Sequence, residues 1–362
     1  MSIESDLKKD GITVIEPLDT TTVNVIAKNV SKKIVAAFSN LGFDFDTLYE
    51  RFSKLPMYIA DMPEGMSEAS YFYKNSAIYF RDGMGLADLE KFAVHELIHN
   101  FQEQKNEKGD LTRLGLCTFK GSNPTGMALN EAAVQLLSSN ILENTFETAT
   151  YYDITFSTVS PNCYPLLCNL IYQMAYVTGE EVLFESTFNS NDHFKNKFTA
   201  LCGENVYNQI SNYFDKILET EEKIIKISNK IQKTELSTVK VDSLYKKSDE
   251  LKKQLKSAYF STQELIINSY FTNSLKTLIT SDDVDIFRKK LYSFQDIIGT
   301  TTNYFFFNNY YIQVMEKLDS RYDSLSDYLD DDNTYLIPKK ENKFTKIINY
   351  IKKLIWKKES VR

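Results

Sequence analysis

Apolar residues along this chain fall into two periods, one near two and one near 3.6. Residues 12–18, ITVIEPL, are a short β-rich run that predicts a strand ended by Pro17. Residues 20–39 follow a Thr/Asp cap region and carry apolar side chains at three- and four-residue spacing, which predicts a helix. A short helix is expected at about 44–54, then a strand in PMYIADMPE. SYFYKNSAIYFRDG, residues 70–83, reads as a hairpin of two aromatic, β-rich runs around Lys74-Asn75-Ser76. Residues 85–106 lack proline and internal glycine, and the helical period runs through them. Residues 107–125, rich in Gly, Asn, Ser and Pro, are expected to be a loop, and 127–144 a helix.

From about residue 161 the pattern is almost wholly helical, including 163–178 and 194–218. Ile217, Ile224 and Ile231 recur at sevens with Ile227 between them, and Leu244, Leu251 and Leu255 continue the spacing after a break near 234–242. A helical hairpin is expected there, packed either as a coiled coil or as an ordinary bundle. The expected fold class is α+β, predominantly helical, with a small N-terminal sheet.

Composition narrows the function classes. At 362 residues, 43% hydrophobic and 25% charged, the chain has ordinary globular proportions and can bury a sizeable core. A net charge of −7 argues against a general nucleic-acid binder. Abundant Lys, Asn and Ile, with 23 Tyr and 24 Phe against one Trp, match the codon bias of an AT-rich bacterial genome. The four cysteines form no CxxC pair and are expected to be buried free thiols. MSIESDLKKDGITVIEP has no apolar leader core, and no apolar stretch reaches the length of a membrane span. The expectation is a cytoplasmic, soluble protein, with leaderless export left open.

The C-terminal end changes character. Residues 319–333 carry six aspartates, and 339–362 carry eight lysines and one arginine against two glutamates. Within 341–358, Phe344, Ile347, Ile348, Ile351, Leu354 and Ile355 make one stripe with lysines opposite. That pattern fits an amphipathic helix on an anionic membrane surface, and equally a terminal helix packed on the bundle with its lysines in solvent.

The chemistry concentrates in FAVHELIHNFQEQ, residues 92–104, which holds two of the three histidines in the chain. Residues four apart on a helix share a face, so His95 and His99 can aim at one ion. Zinc favours such nitrogen donors, and a catalytic site needs a third protein ligand and an open position. Glu96 lies off the His–His axis and is placed to act as general base. This is the HExxH pattern. Glu131, a lone carboxylate among the apolar residues of ALNEAAVQLL, is the leading candidate for third ligand. Glu103 and His193 are the rivals, Glu103 one turn past His99 and His193 in a polar stretch. Tyr164, with Tyr151 and Tyr152 as alternatives, is the candidate oxyanion donor. Asn130 and Gln135 fit either outer-shell donors or plain helix polar positions.

HELIH followed by LNEAAVQ resembles the zincin metallopeptidases of gluzincin type, over roughly residues 70–180. The resemblance implies His95, His99 and Glu131 as zinc ligands and Glu96 as catalytic base. It also implies that SAIYFRDG is the edge strand above the cleft, to which an extended substrate adds. One departure is spacing, with 31 residues between His99 and Glu131. HELIH also resembles clostridial neurotoxin light chains. No Glu-Glu-Leu-Arg-Thr-Phe-like segment follows, so their substrate is not carried over.

The resulting expectation is a zinc-dependent peptidase acting on a peptide or protein through Glu96-assisted attack of a zinc-bound water. A zincin-like domain would span 1–215, a helical region 216–335 and a basic amphipathic helix 336–362. The alternative is a non-enzymatic membrane-associated or partner-binding protein with an inactive or structural zinc site.

Overall fold

The chain is described here from a computed structural model that covers residues 3–9, 11–63, 67–121, 123–233, 238–298 and 304–330. The C-terminal amphipathic segment expected at 336–362 lies outside these residues.

The first half builds a small sheet with helices on one face. After α1 (Ile3–Lys9) come β1 (Thr13–Pro17), α2 (Thr20–Ala37), α3 (Phe45–Ser53), β2 (Met57–Asp61), β3 (Ala69–Phe72), β4 (Ala77–Arg81) and α4 (Leu86–Gln102). Asp19 and Asp44 cap α2 and α3, each carboxylate accepting the backbone N–H three residues on. The strand order is β1-β2-β4-β3, with β2 parallel to β4 and the other pairs antiparallel. The edge strand beside α4 is therefore β3. SAIYFRDG contributes β4, an inner strand between β2 and β3, which corrects the expectation that it forms the edge. Both strands are short and aromatic, and only their tertiary pairing tells them apart.

α4 packs Leu89, Ala93, Val94, Leu97 and Ile98 against α2, β3 and β4. It stops at Gln102, four residues before the expected end, and the chain turns into β5 (Glu103–Lys105). The expected loop at 107–125 is mostly strand: β6 (Leu111–Leu114), β7 (Cys117–Lys120) and β8 (Asn123–Thr125) form an antiparallel meander with β5. These strands have three or four residues, too few for alternation to show in sequence.

The remaining elements are α5 (Met127–Ile141), the hairpin β9 (Glu147–Tyr151) and β10 (Ile154–Thr158), α6 (Pro165–Thr178), α7 (Glu180–Asn189), α8 (His193–Cys202), α9 (Glu204–Lys233), α10 (Thr238–Leu275), α11 (Ser281–Ile298) and α12 (Tyr304–Asp330). The hairpin was not anticipated. The helix expected over 194–218 is divided at Gly203, whose φ of 102° suits glycine and breaks the helical path between α8 and α9. α9 and α10 form the expected helical hairpin.

The fold class is thus α+β and predominantly helical. α9 runs unbroken through residues 215–216, where a boundary was expected. One apolar cluster reaches from Val23 through α4, α5 and α6 to Leu255, Phe271, Phe294 and Leu318. A smaller cluster of Leu7, Ile12, Met62, Phe72 and Tyr79 covers the opposite face of the first sheet. Among the described residues no helix is long and apolar enough to cross a membrane.

A shared core has a thermodynamic consequence. Phe80 on β4 and Leu255 on α10 are both fully enclosed. Phe80→Ala and Leu255→Ala are each expected to cost about 2–5 kcal/mol, measured by denaturant unfolding. Both variants should shift one common transition. Two separable transitions, with Leu255→Ala moving only one of them, would contradict the shared core.

Candidate metal centre

The centre is built where α4 crosses α5. Four-residue spacing puts His95 and His99 on one face of α4, and α5 brings Glu131 across from them. The two Nε2 atoms stand 3.0 Å apart. His95 Nε2 is 3.3 Å from Glu131 Oε2, and His99 Nε2 is 3.3 Å from Glu131 Oε1. The side chains are mostly enclosed, at 13%, 6% and 16% exposure for His95, His99 and Glu131.

The far ring nitrogens settle which tautomers are present. Gln102 donates its amide N–H to the Thr187 carbonyl at 2.9 Å. A carbonyl can only accept, so Gln102 Oε1 is left facing His99 Nδ1 at 3.3 Å, and Nδ1 must carry the proton. The same logic runs behind His95. Ser160 donates its hydroxyl to the Cys163 carbonyl, so it must accept from Gln135 Nε2, at 2.9 Å. Gln135 Oε1 then accepts from His95 Nδ1 at 2.9 Å. Both imidazoles therefore hold a proton on Nδ1 and turn Nε2 toward Glu131.

Two Nε2 lone pairs facing each other at this distance repel unless a proton or a cation lies with them. Without a metal, a proton serves. Burial alone would lower the His99 pKa, but the Glu131 charge overrides it and raises it from 6.5 to about 9. Burial likewise pushes Glu131 up, and His99 and His95 override it, holding the carboxylate well below its usual range. Two imidazoles and a carboxylate converging in this way could hold a metal ion.

Glu96 is buried beside the trio, at 6% exposure. Its Oε2 accepts the backbone N–H of Tyr71 on β3 at 2.7 Å. Burial raises its pKa, against the opposing pull of His95 and His99. β3 is in turn tied to the end of α4. The Tyr71 hydroxyl accepts from Asn100 Nδ2 at 3.2 Å, and Asn100 Oδ1 accepts from Arg51 Nε at 2.9 Å. Edge strand, general-base candidate and histidine helix are thus one hydrogen-bonded unit.

Compared with protein-family models, curated proteins and solved structures, the chain matches none.

Of the other residues singled out in the sequence, Glu103 sits past the end of α4, accepts from Ser76 Oγ and pairs with Lys105 at 2.8 Å. It is not brought to the trio. His193 starts α8, half exposed, with Nδ1 3.4 Å from Glu185. Tyr164 does reach the site, its ring centroid 6.3 Å from that of His95. Burial holds its hydroxyl protonated far beyond the ordinary range. Tyr151 and Tyr152 pack on each other at the β9–β10 tip, with centroids 4.4 Å apart. Gln135 orients His95. Asn130 Oδ1 accepts from Leu116 N at 2.9 Å, and its amide group lies against that of Gln102.

Gln102 went unnoticed in the sequence although it lies three residues past His99, a spacing that places it on the same face. Ser160 sits in an irregular segment and gives no periodic signal. Gly115 also matters. It has φ of 56°, and a Cβ there would lie 2.1 Å from Asn130 Oδ1 and 2.3 Å from Gln102 Nε2.

Gln102→Leu and Gln135→Leu are therefore expected to weaken metal binding about 10–100-fold with the helical signal kept. Gly115→Ala should act in the same direction by displacing Gln102. Metal titration with parallel circular dichroism checks all three, and unchanged affinity in both glutamine variants would refute their orienting role.

The His99 shift sets a pH dependence. Its folded value lies above the unfolded one, so the stabilisation is complete below about 6.5 and is lost as pH rises through about 9. Metal-free protein should lose thermal stability over that window more steeply than His99→Gln. Binding a metal at pH 7 should expel close to one proton from His99, read from calorimetric enthalpies in two buffers of different ionisation heat.

Proposed function

We propose that the protein is a zinc-dependent peptidase. The observation that carries this reading is the pair of histidines locked with Nε2 toward Glu131, with Glu96 buried beside them under an edge strand. Two neutral imidazoles and one carboxylate suit zinc better than magnesium or calcium, which prefer all-oxygen sites. Three protein ligands leave a coordination position open, as catalytic zinc requires. Zinc bound there would polarise the scissile carbonyl and acidify the attacking water.

The other roles belong to the chain. Among the described residues β3 pairs only with β4, and the Arg81 N–H to Glu68 carbonyl bond of 2.9 Å sets which of its residues face inward. Ala69 and Tyr71 consequently turn their backbone groups away from β4. The Tyr71 N–H is taken by Glu96, which leaves the Tyr71 carbonyl and Ala69 to align an extended peptide. Glu96, anchored through Oε2, keeps Oε1 for the water. It takes the water proton as the oxygen attacks the peptide carbon, then delivers it to the leaving amine. Its raised pKa favours the first of these transfers, the uptake of the proton. Tyr164, held as a neutral phenol next to His95, is placed to donate to the oxyanion.

Glu96→Gln is expected to retain zinc and to lose about 10²–10⁴-fold in kcat. Tyr164→Phe should lower kcat by up to about 10²–10³-fold with KM little changed. Peptide-library cleavage followed by mass spectrometry checks both. Undiminished cleavage by Glu96→Gln would overturn the reading.

A further inference from the structure

α9 packs against α5, which carries Glu131, and against α6. It carries Glu221, which is 7% exposed. Among the described residues its Oε1 has no hydrogen-bond partner, so a carboxyl lies inside the fold with one oxygen unsatisfied by them. Such groups are rare and costly unless something arrives to complete them.

Its surroundings are aromatic. The Glu221 charge acts on Tyr151 and Tyr152 at the tip of the β9–β10 hairpin, and on Cys163 and Tyr164 ahead of α6. The three tyrosines are each partly exposed, whereas the Glu221 carboxyl is buried. Tyr152 has φ of 50° and Tyr164 φ of 47°, the left-handed region that a bulky side chain seldom enters. Strain of this kind, about 1–3 kcal/mol per residue, persists where surrounding structure imposes it and gathers at functional sites. The tip is pinned to α10, with Lys256 Nζ donating to the Asp153 carbonyl at 3.3 Å. Tyr164 belongs to both places, since its ring also stands beside His95.

The chemistry selects the ligand. Burial alone, with no cation to offset it, pushes the Glu221 carboxyl up to about 8. An apolar ligand would leave it unsatisfied, and an anion would oppose its ionisation. A cation satisfies it, and tyrosine faces favour a cation as well. A guanidinium or ammonium on a flexible stem fits a buried carboxyl with tyrosines near it.

We propose that Glu221, with Tyr151, Tyr152 and Tyr164, forms a subsite that takes a lysine or arginine side chain of the substrate close to the bond cut. The proposal rests on the peptidase reading for its word substrate, but the binding of a basic side chain is testable without cleavage.

The test is calorimetric titration of zinc-loaded protein with N-acetyl-arginine amide and with its neutral counterpart N-acetyl-citrulline amide. Wild type should bind the arginine compound at least tenfold more tightly. Glu221→Gln, close in shape, should lose that difference at unchanged zinc content. Equal binding of the two compounds by wild type overturns the proposal, and needs no variant to fold. An arginine preference that persists in Glu221→Gln overturns it too. A parallel peptide library separates the two readings. Cleavage without preference for a basic residue defeats the subsite. Arginine binding lost in Glu221→Gln, with no peptide cleaved, upholds the cation site and defeats the peptidase reading.

Discussion

Everything at the centre depends on two amide groups holding two imidazoles in one tautomer. Gln102 and Gln135 accept from the Nδ1 atoms, so both Nε2 lone pairs turn inward. Neither glutamine is free to flip, because each amide N–H is already given to a group that accepts it. The constraint extends outward, through Asn130 to the chain at Leu116 and through Ser160 to the segment before α6. A bare pair of histidines on a helix could rotate away from each other. This pair cannot do so without breaking hydrogen bonds of about 1 kcal/mol each and leaving buried donors unmet.

The cost of such a polar cluster is met by its setting. α4 and α5 also enclose apolar side chains, with Ala93, Val94, Leu97, Ala132 and Ala133 fully buried. Breaking one partner out of a buried charged group of this sort destabilises by about 3–5 kcal/mol. The helical second half contributes directly. Asp215 of α9 accepts from Ala128 N at 3.2 Å, securing the start of the helix that carries Glu131. The same helix presents Glu221 to the tyrosines. The helical half is therefore tied directly to the helix that carries Glu131.

The sequence made the ligand trio legible for local reasons. Two histidines and a glutamate inside an apolar helical run are readable from spacing alone, and Glu131 stood out as a lone carboxylate in an apolar helix. The features it hid are tertiary. Whether SAIYFRDG or the run before it forms the sheet edge depends on strand order, which period-two alternation does not encode. Residues 107–125 read as loop, and 103–106 as the end of a helix, because the strands there are short and interrupted by Gly, Asn and Pro. Gln135 fitted either an outer-shell donor or a plain polar helix position, and only the Ser160–Cys163 turn behind it reveals its orientation. Glu221 drew no attention, because α9 carries five acidic and five basic residues and spacing alone does not show which of them the fold encloses.

The most direct test of the account is the zinc content of the purified full chain, wild type beside Glu131→Ala and His193→Ala, by elemental mass spectrometry. The account predicts close to one zinc per chain in wild type and in His193→Ala, and a clear loss in Glu131→Ala. No zinc in reconstituted wild type, or full zinc in Glu131→Ala, would contradict it.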